Sequence, residues 1–243
     1  MRFYKIFPFR PDDDSNIIRF PGQPDPQKKP KNKQPPMLNV PPVTKIILGL
    51  ILGIEAIFSL SDIFLPTLHL HETVLYYGAF IPTHWTNLAD FSWTEPLTLI
   101  SFTLLHGGWL HTGVNTIMLM ALGSGVERNL GAKRFLILFW GSSFIAALTH
   151  LAFSPFSDMP VVGASGGIGG LFGVLLILMR QHRYGDNPLQ GLIPVIMIFI
   201  LISALTGLMG APDGSSVAWV AHIGGFLGGI GLFLYGERHR RRH

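Results

Sequence analysis

Four polar side chains stand in otherwise apolar stretches of this chain: His111, Asn115, Ser165 and His222. Polar groups inside a bilayer are costly, so such residues call for a chemical reason. A serine hydroxyl beside an imidazole is a nucleophile with its base. Ser165 is followed by Gly169 and Gly173, and His222 by Gly225 and Gly229. Each glycine pair lies beneath its polar residue on one helix face, and small residues at this spacing let two membrane helices approach closely. If these faces meet, Ser165 and His222 oppose each other. His222 would take the Ser165 proton as the hydroxyl attacks a peptide carbonyl, then return it to the leaving amine. The developing oxyanion needs donors in place. Candidates are the backbone N–H of Ser165 or Gly166 at a helix start, the Asn115 amide and His111, the last two sharing a helix face at four-residue spacing. One such donor is typically worth ~10²–10³ in rate. No Asp or Glu accompanies His222 in its segment, so a dyad without an acidic third member is expected.

The elements that must position these residues are apolar. Of 243 residues 48% are hydrophobic and 13% charged, about half the charge of an average soluble domain. No Lys or Arg occurs between Lys45 and Arg128, between Arg134 and Arg180, or between Arg183 and Arg238. Long apolar runs fill those gaps and predict helices at about 43–64, 111–128, 133–153, 165–183, 188–209 and 217–236. Each is near the roughly twenty residues that cross a hydrocarbon core. The expected fold is all-α, a polytopic membrane bundle of six transmembrane helices over 43–236, in contact with the lipid bilayer. Residues 1–42 are polar and Pro-rich and read as a disordered tail; residues 237–243 form a basic tail. The stretch 65–110, with Trp85, Trp93 and Trp109, suits a packed or interfacial loop.

All 18 Lys and Arg lie in the N-terminal tail, at Lys45, in the loops near 128–134 and 180–183, and in the C-terminal tail. With six spans these share one side, which the positive-inside rule makes cytoplasmic, together with both termini. Spans two, four and six then start on the opposite side, so His111, Asn115, Ser165 and His222 lie at similar depth. The net charge of +4 reads as topology, and no nucleic-acid partner is expected. Absence of cysteine excludes disulfides and thiolate chemistry. His106, His111, His150 and His222 carry no H-E-x-x-H pattern and no companion carboxylate, so no metal is expected. A serine at a helix start ordinarily serves as its cap; the companions of Ser165 favour chemistry. Glu55, an acidic residue in mid-span, has no role in this scheme.

These residues together resemble the rhomboid intramembrane proteases. Gly163-Ala164-Ser165-Gly166 matches the family's G-x-S-G nucleophile motif. His106, His111 and Asn115 match H-x4-H-x3-N, and Ala221-His222 with Gly225 and Gly229 matches A-H-x2-G-x3-G. Glu127-Arg128 matches an E-x-R motif loosely, lacking the intervening residue. The resemblance implies that Ser165 and His222 are the dyad, with His111 and Asn115 as oxyanion contributors and His106 as a structural tie for the first loop. It implies transmembrane protein substrates, cleaved near the outer membrane face after lateral entry near helix five, and no cofactor. Two positions depart from the family. Leu97 and Thr98 replace a usual Trp-Arg pair, and Gly169 replaces an aromatic that packs on the base, so orientation of His222 must come from elsewhere. The bacterial inner membrane is the expected location. A non-catalytic rhomboid-like protein that binds transmembrane segments is the alternative function. A solute transporter would call for inverted repeats, and none is seen between the halves. No sequence feature indicates an oligomeric state.

Overall fold

In the computed structural model, the described residues are 39–87, 89–184, 193–209 and 218–240. Of the expected tails, 1–42 and 237–243, residues 1–38 and 241–243 lie outside them, as does the loop at 210–216. Helix α1 spans Pro42–Phe64 and is followed by a 3-10 turn, Pro66–Leu68. Three short helices cross the long loop: α2 Leu70–Gly78, α3 Pro82–Thr86 and α4 Glu95–Ser101. The second expected span forms a rod of three parts, α5 Trp109–Met118, a π turn Leu119–Gly123 and α6 Ser124–Leu130. Then come α7 Ala132–Phe153, α8 Ser165–Tyr184, α9 Ile193–Met209 and α10 Trp219–Arg240. No strand element occurs among the described residues, and the fold is the expected membrane helical bundle. By length and composition, α1, α7 and α10 can each cross a membrane. Helix α8 is apolar over Ser165–Arg180, and five of its residues are glycines.

Helix α1 shows how the bundle meets lipid. Thr44, Ile47, Ile51, Glu55, Phe58 and Ser61 form its buried stripe at three- and four-residue steps, while Ile46, Leu50, Ile57 and Leu60 face outward. Its first turn leaves backbone N–H groups without helical acceptors. The buried Glu127 carboxylate supplies them: Val43 N–H donates to Oε1 at 3.1 Å, and Thr44 N–H and Oγ1–H donate to Oε2, each at 2.7 Å. Glu127→Gln would set an amide N–H₂ against these donors. It should lower thermal stability in detergent by about 2 kcal/mol, as read by an unfolding series against wild type. Glu55 turns inward, and its Oε2 finds no hydrogen-bond partner among the described residues.

The long loop packs rather than extends. Phe80 and Val161 form an antiparallel bridge, with N–H···O distances of 3.1 and 2.9 Å. Phe80, Phe102, Ala147 and Val161 make a small outer core, joined by Trp85. Trp85 thus packs inward against Phe80, whereas Trp93 and Trp109 are exposed. At the unusual pair, Leu97 faces outward, and buried Thr98 donates Oγ1–H to the Glu95 carbonyl at 2.6 Å.

Candidate active site

Ser165 is the first residue of α8, and a strained turn delivers it. Gly163 has φ +114°, a conformation that L side chains rarely adopt. A Cβ there would also lie 2.8 Å from His111 Nε2. Glycine is therefore required twice at this position, by backbone conformation and by the approach of the imidazole. The turn is pinned by Gly163 N–H donating to the Phe102 carbonyl at 2.8 Å and Ala164 N–H donating to His106 Nε2 at 3.4 Å.

His106 can accept at Nε2 only with its proton on Nδ1, which donates to the Leu104 carbonyl at 3.3 Å. Burial first, and His111 beside it second, lower the His106 pKa to about 4, so the ring is neutral at pH 7. The contact that His111 makes suits the opposite tautomer. Its Nδ1 accepts the Gly107 N–H at 3.5 Å, which leaves the proton on Nε2, the atom beside Gly163. Its ring meets His106 edge to face, centroids 5.0 Å apart. Asn115 is buried, and its Nδ2 donates to the His111 carbonyl at 3.0 Å, one turn back. One N–H of that amide thus serves its own helix.

Across the bundle, His222 on α10 places Nε2 2.8 Å from Ser165 Oγ. If the hydroxyl donates, the neutral ring carries its proton on Nδ1. No acidic side chain pairs with His222 among the described residues. The approach of α8 to α10 is made by glycine on glycine, with one shift from the sequence expectation. A Cβ on Gly225 would strike the Gly166 backbone, and one on Gly229 the Gly170 backbone. Gly169 and Gly173 flank that line: a Cβ on Gly169 would lie 3.4 Å from the His222 carbonyl oxygen, and one on Gly173 3.1 Å from that of Phe226. The reason is rotational. A helix turns 3.6 residues per cycle, so Gly166 and Gly170 run along the glycine contact, and Ser165 sits at its edge, where its oxygen stays reachable.

Sequence spacing did not reveal the third wall. Ala146, Ser143 and Ser142 of α7 lie against Gly166, Gly167 and Gly170, and Thr149 and Ile145 lie against Gly224 and Gly228. The small residues Gly141, Ser142 and Ser143, followed by Ala146 and Ala147, were the available signal.

This arrangement has relatives. A rhomboid domain model matches residues 93–238. A relative from Bacillus subtilis, YdcA, is 30% identical over 205 residues, 83% of this chain and 92% of that protein. Rhomboid protease GluP of the same organism is 32% identical over 65% of this chain and 28% of its own length. RHOMBOID-like protein 5 of Arabidopsis thaliana is 35% identical over 57% and 43%, respectively. The domain match covers both Ser165 and His222, and the helical bundle around them agrees with it, so the chain belongs to the rhomboid family of integral membrane proteins.

Proposed function

We propose that this protein is an intramembrane serine endopeptidase that hydrolyses peptide bonds in or next to transmembrane segments of membrane proteins. The observation that carries the reading is the 2.8 Å hydrogen bond between Ser165 Oγ and His222 Nε2. Ser165 attacks the scissile carbonyl while His222 accepts its proton. The imidazolium then protonates the leaving amine, which departs and leaves an acyl-enzyme. Water, deprotonated by His222, hydrolyses the ester and restores Ser165. The tetrahedral oxyanion is stabilised by backbone N–H groups of the first turn of α8, Gly166 among them, which have no acceptor within their own helix. His111 Nε2–H and the second N–H of the Asn115 amide add to these. The chemistry requires no cofactor. The six long helical rods each cross the membrane, with both termini cytoplasmic and the site toward the opposite face, and the bacterial inner membrane is the location that fits.

The deciding experiment incubates the protein in liposomes with a fluorescent fluorophosphonate and with a single-span substrate, wild type beside Ser165→Ala. Wild type should label and cleave, and the variant should do neither. Wild type inert to both reagents would reject the protease and favour a non-catalytic protein that binds transmembrane segments.

A further inference from the structure

Gly169 lies one turn below Ser165 on α8 and carries no side chain to support the base. The space it leaves has two boundaries. One is the α10 backbone between His222 and Phe226, whose carbonyl oxygen and amide nitrogen would lie 3.4 and 3.6 Å from a Cβ at 169. The other comes from a different helix: the Phe199 ring of α9, with Cζ 3.8 Å from that same point.

Phe199 belongs to a three-helix aromatic cluster. It stacks on Phe226 of α10, centroids 4.3 Å apart and planes at 22°. Phe172 of α8 lies 5.8 Å from each of them. Phe226 is fully buried and stands one turn beyond His222 on the same helix. Helix α9 itself reaches the core at Ile196 and Phe199, while Ile193, Met197, Ile198 and Leu201 face outward. Among the described residues of α9, Phe199 is the side chain seen to reach the turn that carries the base.

We propose that Phe199 is a positioning residue for the dyad. Delivered from α9, its ring fills the volume opposite Gly169 and, through the Phe226 stack, presses the 222–226 turn of α10 toward α8. That pressure keeps His222 Nε2 within hydrogen-bond reach of Ser165. A side chain on α8 could do the same from position 169, but a ring there and the Phe199 ring would compete for one space. The two positions should therefore be interchangeable as sources of the aromatic. This inference rests on Ser165 and His222 acting as a pair.

The test compares wild type, Phe199→Leu, Phe199→Ala and the double variant Phe199→Ala/Gly169→Phe. In Phe199→Ala the fluorophosphonate labelling rate at saturating reagent should fall at least about tenfold, because a displacement on the order of 1 Å costs ~10² in rate. The concentration for half-maximal rate should stay within about twofold, since reagent binding is left intact. Phe199→Leu should fall between, and the double variant should regain most of the loss. Protein labelled with ¹⁵N-histidine reads the hydrogen bond without catalysis: the His222 Nε2 resonance should move toward that of free imidazole in Phe199→Ala and return in the double variant. A wild-type labelling rate and an unmoved resonance in Phe199→Ala would overturn the proposal. So would a loss that parallels the melting temperature and is not recovered by the aromatic at 169. If wild type fails to label, the protease reading fails, and the resonance comparison still decides the role of Phe199.

Discussion

His222→Ala will lower both the fluorophosphonate reaction and substrate cleavage by about 10⁴-fold or more, with thermal stability changed little. The size follows from the absence of a substitute. A serine hydroxyl is a weak nucleophile at neutral pH and needs a base within hydrogen-bond reach, and His222 Nε2 at 2.8 Å is the partner the fold gives it. His106 and His111 cannot take over. The Nε2 of His106 accepts the Ala164 N–H, and the Nδ1 of His111 accepts the Gly107 N–H, so each ring already has its basic nitrogen engaged. Losing the histidine of a serine–histidine pair costs about as much as losing the whole set, with a residual ~10³–10⁴ over water left to the oxyanion donors. Stability should hold, because the His222 ring is only part-buried and the packing of α10 rests on Gly225, Phe226, Gly229, Ile230 and Phe233. The measurement is the second-order labelling rate constant beside a melting curve for each protein. A variant that keeps more than a tenth of the wild-type rate would remove His222 from the mechanism.

Much of this site can be read in the sequence because a bilayer restricts the alternatives. An apolar run near twenty residues long can be satisfied there only as a helix, and so α1, α7, α8 and α10 begin within two residues of where hydropathy places them. Ser165 and His222 both stand near the N-terminal ends of their helices, α8 and α10, where the apolar runs already placed them. What could not be read depends on packing rather than on hydropathy. A single π turn at Leu119–Gly123 has no compositional mark; it interrupts a stretch that reads as one uniform span. The offset between the glycine stripes requires knowing the rotation of α8, since residues 165, 166, 169 and 170 all fit a four-residue spacing. Phe199 was hidden for the same reason: one phenylalanine in a helix of Ile, Leu, Met and Val differs from its neighbours only through what it meets. The inward turn of Trp85 depends on Phe80, which the bridge to Val161 brings beneath it.

Adding one methyl group at Gly225 should disable the protein, and the same change six residues later should be harmless. A Cβ at 225 would meet the carbonyl oxygen, carbonyl carbon and Cα of Gly166, all main-chain atoms that cannot rotate away. Relief can come only from α8 and α10 moving apart. Gly166 adjoins Ser165, and Gly225 lies one turn from His222, so the separation that accommodates the methyl is passed directly to the 2.8 Å hydrogen bond. Overpacking of this kind costs about 1–3 kcal/mol, and a displacement on the order of 1 Å at the reacting pair costs ~10² in rate. Gly225→Ala should therefore label with fluorophosphonate about 100-fold more slowly and melt at a lower temperature. At Gly231 a Cβ meets no atom within 4 Å. Gly231→Ala replaces a flexible residue within the same helix and should keep the wild-type labelling rate while gaining up to about 1 kcal/mol in stability. The pair shares one helix, one substitution and one change in propensity, so their difference isolates the interhelical approach. Equal behaviour of the two variants would mean that close packing of α8 on α10 does not set the geometry of the dyad, and the position of Ser165 would then depend on the Gly163 turn and its two hydrogen bonds instead.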